Sequence, residues 1–538
     1  MNNALINMRM LHKFIAAIAV IFTLLMAGVP AQAQVTAYKQ AVAEAASNDK
    51  ALAEFYKGRN YKAIWTGTFG KSSQRRKAFL QALSNATAHG LPIKRYDPAV
   101  IKAKLKASKM GRSRGLVEVE MSRMFLQYAG DMRSGALIPH KIDSGIVRKI
   151  ARWDRLQTLV AFEKSSPRGF FKQLLPKTPE YARLMKEKLK LEKLLGKSGY
   201  GAKVGAASLK PGSTGGHVVA MRNRLIAMGY LRRSAAKSYD SNMKKAVQLF
   251  QLDNGLPTDG VAGKATMAEI NKSATYRLQS IIVAMERERW LNQPRGKRHV
   301  LVNLTDFSVK IIDSGKATFF SRTVVGKNVS DRRSPEFSDV IEFLVINPTW
   351  NVPRSIAIKE YLPMLKRNKN AVGHLRLVDS RGRTVSRSAI NFSKYNARTF
   401  PFNMKQPPSR GNALGLVKFM FPNKYNIYLH DTPSKSLFNR DVRAFSHGCI
   451  RVHKPFDFAY ALLAKQTPNP QDFFQAKLKT GVESRVNLKA PVPVHLIYRT
   501  AISKPKGGME YRRDVYGRDA KIFNALIKAG VVLRAVKG

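Results

Sequence analysis

The chain has 538 residues, of which 94 are Lys or Arg and 35 are Asp or Glu, for a net charge of +59 at neutral pH. At about 100–200 residues per domain this length holds several domains, and a single cysteine excludes an intrachain disulfide, so the core must stand on packing alone. The basic excess predicts attraction to polyanions; no nucleic-acid recognition module is present, and anionic envelope polymers or lipid head groups fit better, many of the lysines simply solvating the surface.

Arg9, His12 and Lys13 precede an apolar run from Phe14 to Met26, and Ala31-Gln32-Ala33 offers a small-residue cleavage site. Residues 1–33 thus read as a secretory signal peptide, which predicts a periplasmic or envelope location; an uncleaved anchor is the alternative. From 34 to 200 the apolar residues fall at helical spacing, with Val117, Met121, Met124, Phe125, Tyr128 and Met132 on one face, which predicts a helical scaffold domain without a catalytic constellation. Residues 201–215 are rich in Gly, Ser and Lys and predict a flexible linker. Two helical stripes follow, Val218, Met221, Leu225 and Met228, then Met243, Ala246, Val247 and Phe250, ended by Gly229 and near Gly255. They predict a compact helical module over 216–274.

A helical segment over 275–297 returns the chain to the scaffold. The period then becomes two, as in Val300, Val302 and Leu304 and in Phe307, Val309 and Ile311, predicting a mainly β domain over 298–485. Its polar stretch 355–406 is too long for an ordinary loop and predicts a lid subdomain inserted over one face of the sheet. Residues 486–538 form a C-terminal extension. The fold class expected is multidomain α+β.

The chemistry concentrates in Tyr428-Leu429-His430-Asp431-Thr432-Pro433 and in Arg440…Arg443-Ala444-Phe445-Ser446-His447-Gly448-Cys449-Ile450-Arg451-Val452. Cysteine attacks a carbonyl only as thiolate, which needs a nearby base or positive charge. His447 shares the cysteine's own segment, whereas His430 arrives from a separate element and can be aimed at the sulfur; His430 is the expected general base and His447 a support for the loop or substrate. The Gly448 and Cys449 amides are expected oxyanion donors, and Arg451 adds positive charge. A zinc site from His430, His447, Cys449 and His453 is the sharpest rival, but the spacing matches no common zinc signature, and no metal or other cofactor is expected. An inert cysteine in a wall-binding structural protein is the other.

The pattern His430…Ser446-His447-Gly448-Cys449-x-Arg451, with Cys449 following His430 at a separation of 19 positions, resembles the L,D-transpeptidase catalytic domain. Glu286-Arg287-Glu288-Arg289-Trp290, Asn347-Pro348-Thr349-Trp350-Asn351, Gln406-Pro407-Pro408…Gly411-Asn412-Ala413-Leu414-Gly415 and Asp514-Val515-Tyr516-Gly517-Arg518-Asp519 resemble its large multidomain branch. Arg224-Leu225…Gly229-Tyr230-Leu231, Phe250-Gln251…Gly255-Leu256 and Asp259-Gly260…Gly263 resemble the three-helix peptidoglycan-binding module. The resemblance implies attack by Cys449 on a stem tetrapeptide, release of terminal D-Ala, and a thioester resolved by a second stem's amine as a 3→3 cross-link; water, an amino acid or a protein amine are alternative acceptors. It also implies acylation by carbapenems, peptidoglycan stem peptides and glycan as partners, and orientation of His430 by the Asp431 backbone carbonyl. The Asp431 carboxylate, where many members carry Gly or Ser, is expected to raise the histidine's pKa. Charge complementarity assigns stem carboxylates to Arg440, Arg443 and Arg451, and Ser446 and Asn412 complete the expected substrate contacts.

Overall fold

The structure is a computed structural model that describes residues 36–151 and 153–535; the expected signal peptide lies outside them. The chain divides into two compact units. One comprises residues through Leu80, Pro98–Leu126 and Asp154–Arg168, and the larger comprises Gln81–Asp97, Gln127–Trp153 and Gly169–Gly538. The 34–200 region, expected to be one scaffold domain, is therefore shared between them.

In the smaller unit Trp65 packs on Phe79, Phe125 and Phe162 at ring-centroid distances of 5.2, 5.6 and 5.1 Å. Val117, Met121 and Phe125 of the expected stripe are buried on the Gly111–Ser134 helix. Glu118 is buried with them because a turn needs its carboxylate. It accepts the amides of Ile64, Trp65 and Thr66 at 2.7, 3.2 and 2.8 Å and the Tyr56 hydroxyl at 3.0 Å, so the buried charge is satisfied.

The larger unit opens the three-helix module with Gly216–Met228, Ser241–Asp253 and Lys264–Ile270. The first helix ends on Gly229 in the left-handed region, φ 85°, where glycine carries no Cβ penalty. Val218, Met221, Leu225, Met243, Val247 and Phe250 form its core. The expected linker 201–215 is corrected here. Val204 and Leu209 belong to that core, and Leu209 exchanges backbone hydrogen bonds with Ala262; two apolar anchors suffice to pin a Gly-rich run.

The Ala274–Trp290 helix is buried along its whole second half, Ile281 to Trp290. Its charges are paired internally: Arg289 with Glu286 at 2.8 Å, and Arg287 with Glu336 at 2.7 Å and Asp519 at 2.8 Å. Removing one partner of such a pair leaves an uncompensated buried charge, which fixes this helix against the start of the sheet and the C-terminal helix Arg518–Ala529.

Fifteen strands are described: β1 Arg298–Asn303, β2 Ser308–Asp313, β3 Lys316–Gly326, β4 Phe337–Ile346, β5 Trp350–Asn351, β6 Arg376–Val378, β7 Thr384–Val385, β8 Asn403–Gln406, β9 Val417–Met420, β10 Leu429–His430, β11 Ala444–Ser446, β12 Ile450–Val452, β13 Ser484–Ile497, β14 Ala501–Ser503 and β15 Met509–Tyr511. Nine form one sheet in the order β11, β3, β12, β10, β9, β4, β13, β1, β2, and β3 also bonds β2, so the pairings close on themselves. The domain limit expected at 485 is corrected by β13, which runs through the middle of this sheet. Pro491 and Pro493 interrupt its alternation, and the register slips between Asn487 and Val492, which hides the strand from a period-two reading.

The insertion has its own four-stranded sheet, β5, β8, β6, β7, and a core of Trp350, Leu362, Leu365, Leu377, Phe392 and Phe400. Its first strand begins at Trp350, ahead of the expected 355. Within its helical segment Ala357–Tyr361 is a π-helical turn, a feature often found at functional sites.

Candidate active site

β10 pairs in parallel with β12, Leu429 opposite Ile450 and His430 opposite Arg451. Continuing that register sets Tyr428 beside Cys449, with His430 two positions on and on the same face. Strand geometry makes the His430 to Cys449 Cα separation about 8 Å, within reach of the two side chains. Both residues line a pocket of about 640 Å³, together with Arg451, His447, Ser446 and the insertion's Trp350, Glu360 and Tyr361.

The His430 ring is held by its Nδ1–H, which donates to the Asp431 carbonyl at 2.5 Å. A carbonyl only accepts, so this bond leaves Nε2 as the basic nitrogen. Burial, then the Arg451 charge, push the imidazole down to about 3. The Cys449 thiol donates to the Asn426 carbonyl at 3.4 Å, and Asn426 is one of the few non-glycine residues with positive φ, 52°. Burial pushes this thiol up to about 11, against the hydrogen bonds from the Tyr428 backbone and hydroxyl and the charge of Arg451. The resting pair is therefore a neutral thiol and a neutral imidazole.

The loop carrying the cysteine is braced from both sides. Ser446 Oγ donates to the Cys449 carbonyl at 2.6 Å and accepts the Gly448 amide at 3.1 Å, while Ser334 Oγ donates to the Gly448 carbonyl at 2.6 Å. Gly448 has φ 122°, a region that only glycine adopts without strain. Its amide is committed to Ser446, so of the two expected oxyanion donors the Cys449 amide is the one left for substrate.

Several expected substrate contacts are corrected. Ser446 is buried and spends its hydroxyl on the loop. Asn412 is fully buried, its Nδ2 donating to the carbonyls of Pro348, Gln406 and Pro407 and its Oδ1 accepting the Leu414 amide; it ties the base of the insertion to β9. Arg443 gives its guanidinium to the carbonyls of Thr323, Arg440, Asp306 and Phe307, and Arg440 is exposed outside the pocket. For Ser446, Asn412 and Arg443, backbone carbonyls within reach take the donors that a ligand would otherwise receive. Arg451 alone of the three arginines lines the pocket, with a buried Nε that has no hydrogen-bond partner.

The Asp431 carboxylate also departs from expectation. It accepts the amides of Leu416 and Thr432 and pairs with Lys435, and it does not raise the His430 pKa. A Cβ on Gly415 would overlap it, which explains the glycine there. His447 Nε2 meets Glu360 at 2.7 Å, a carboxylate that also holds Arg332 at 2.7 Å. His453 packs on Phe438, ring centroids 4.8 Å apart, and does not line the pocket.

Tyr428, Glu360 and Ser334 carry no role in the sequence reading. For Tyr428 a signal existed: it precedes His430 by two, directly ahead of β10, and their rings lie 5.6 Å apart. Glu360 and Ser334 come from segments with no sequence tie to the cysteine motif.

Residues 297–470 match the family described as "L,D-transpeptidase catalytic domain", 214–270 the one described as "Putative peptidoglycan binding domain", and 50–187 the one described as "Scaffold domain". A Haemophilus influenzae protein named "Putative L,D-transpeptidase" is 31% identical over 256 residues, 46% of this chain and 50% of the relative; the chain thus spans about half the length of the curated relative it matches. Among solved structures, residues 123–326 of the L,D-transpeptidase from Xylanimonas cellulosilytica align over 54% of this chain and 98% of that one, at 15% identity and a TM-score of 0.16. The L,D-transpeptidase from Stackebrandtia nassauensis aligns over 54% and 96%, at 12% identity and a TM-score of 0.21. The chain therefore carries an L,D-transpeptidase catalytic domain, preceded by a helical scaffold domain and a peptidoglycan-binding domain.

Proposed function

We propose that this protein is an envelope-located transpeptidase that forms 3→3 cross-links in peptidoglycan through a thioester on Cys449. The observation that carries this reading is that Cys449, the residue immediately before β12, and His430, on the parallel neighbour β10, line one pocket. Because thiol and imidazole are both neutral at rest, proton transfer accompanies attack. The sulfur swings from the Asn426 carbonyl toward His430 Nε2, gives up its proton there, and forms a C–S bond to the carbonyl preceding the terminal D-Ala. Contacts of this kind commonly tighten only once substrate is bound. The oxyanion is received by the Cys449 amide and faces the Arg451 charge.

The C–N bond then breaks, and the imidazolium returns its proton to the departing D-Ala amine. In the second half an acceptor amine attacks the thioester, its proton passes to His430, and the C–S bond breaks to restore the thiol. Ser446 and Gly448 act by holding the loop, and His447 with Glu360 by seating the insertion over it.

The test is intact mass of the protein after exposure to a disaccharide-tetrapeptide and, separately, to a carbapenem. A thioester adduct on the wild type that is absent from Cys449→Ala supports the reading, and an unmodified wild type overturns it. Mass spectrometry of the muropeptide products separates a stem acceptor from water, an amino acid or a protein amine.

A further inference from the structure

A second recess of about 550 Å³ adjoins the active-site pocket, and Tyr425 lines both. Its walls come from four places: Val147–Lys149, the segment Trp290–Arg295 at and beyond the end of the buried helix, the sheet residues Phe337–Asp339 and His495, and the turn Asn423–Tyr425. Only part of it belongs to the catalytic domain proper, which begins at 297.

The lining is cationic. Arg148, Lys149, Arg295 and Lys424 face it, against one carboxylate, Asp339, which accepts its neighbour Val340's amide at 2.9 Å. Among the described residues Arg148, Lys149 and Lys424 have no carboxylate within ion-pair distance, and Arg295 has only Glu288 at 3.8 Å, with a buried Nη2 that lacks any hydrogen-bond partner. The floor is a hydrogen-bonded relay that starts from one of these cations. Arg148 donates to Ser338 Oγ at 3.1 Å, Ser338 meets His495 Nδ1 at 2.8 Å, and His495 Nε2–H donates to the Arg295 carbonyl at 3.1 Å. An excess of cations over carboxylates in a concavity attracts an anion from solution.

We propose that this recess is the acceptor subsite, holding the carboxylate-bearing stem peptide whose amine resolves the Cys449 thioester; the inference rests on the function proposed above. Three observations converge on it. The recess is one residue removed from Asn426, whose carbonyl accepts the thiol, so a peptide seated there has a short path to the acyl carbon. The phenol of Tyr425, packed on Phe337 at 5.3 Å, offers an apolar wall between the two cavities for the stem's aliphatic chain. The positive field also suits the nucleophile, because an amine must be neutral to attack and nearby cations disfavour its protonated form. The field already acts on His495, held down to about 4 by burial and then by the charges of Arg148, His299 and Arg295.

Lys149 and Lys424 are exposed, so Lys149→Ala/Lys424→Ala tests the site without disturbing the core. The wild-type and double-variant thioesters are formed first, then mixed with a tetrapeptide-stem acceptor bearing free carboxylates or with its fully amidated counterpart, and adduct decay is followed by mass spectrometry. The expected result is a half-saturating concentration about tenfold higher in the variant for the free-carboxylate acceptor and unchanged for the amidated one. Equal shifts for both acceptors, or none for either, overturn the proposal. If the wild type forms no thioester, the proposed function fails, and the recess is judged separately by calorimetric binding of the free-carboxylate peptide to Cys449→Ala with and without the lysine pair; an unchanged Kd there overturns the subsite as well.

Discussion

Alkylation of Cys449 by iodoacetamide should report the charge state of the resting pair. A thiol moved from an ordinary 9.0 to about 11 carries roughly 100-fold less thiolate at pH 7, and the thiolate that remains is more nucleophilic by a Brønsted slope of about 0.4–0.5, which returns a factor of about 6–10. The net expectation is alkylation about tenfold slower than for an unperturbed cysteine. Its logarithm should climb with unit slope from pH 6 to 10, with no plateau on the acid side. His430→Gln should leave this profile within twofold, because the thiol's hydrogen bond goes to Asn426 rather than to the imidazole. The same variant should slow acylation by a carbapenem about 10²–10⁴-fold, since there His430 must take the proton. A rate plateau between pH 5 and 8 that disappears in His430→Gln would establish a preformed thiolate–imidazolium pair and refute the reasoning.

Arg451→Met removes a charge that favours the thiolate and disfavours the imidazolium; the alkylation profile should move to higher pH, and the His430 titration followed by NMR should move up. Asn412→Ala leaves three carbonyls and one amide without their partner, which at about 1–3 kcal/mol for each group that water fails to reach predicts a loss of about 3–6 kcal/mol in denaturant unfolding. Asn412→Asp should be worse than Ala, because it sets a carboxylate against those carbonyls. His89 and His430 are both buried and held down to about 3, so the unfolded chain takes up their protons first. Their contribution is complete above pH 6.5 and is lost as pH falls from there toward 3, by about 1 kcal/mol per histidine between pH 6.5 and 5.5. Urea midpoints measured at those two pH values check it, and a midpoint that rises on acidification would contradict it.

The local geometry of the cysteine segment was legible because it rests on neighbours in the chain. Gly448 takes a positive φ, Ser446 and Cys449 are three residues apart, and the histidine at 430 belongs to a short strand whose parallel neighbour begins directly after the cysteine. The three-helix module was legible for a similar reason, since each apolar stripe is read from consecutive turns. Misreadings arose where a residue's role depends on who arrives from elsewhere. Arg443 looked like a carboxylate binder by its charge, yet four backbone carbonyls surround it. The Asp431 carboxylate looked like a perturber of the histidine by adjacency, yet the amides of Leu416 and Thr432 claim it, and only the residue's backbone carbonyl meets the ring.

Sequence alone determined the composition of the cysteine segment and the change from helical to strand periodicity near 298, because these rest on covalent neighbours and repeating side-chain faces. Only the tertiary structure decided that thiol and imidazole are both neutral at rest, that Glu360 of the insertion meets His447, and that scaffold segments complete a cationic recess beside the cysteine. Those outcomes depend on desolvation and on charges brought together across hundreds of residues, and neither is encoded in any local pattern.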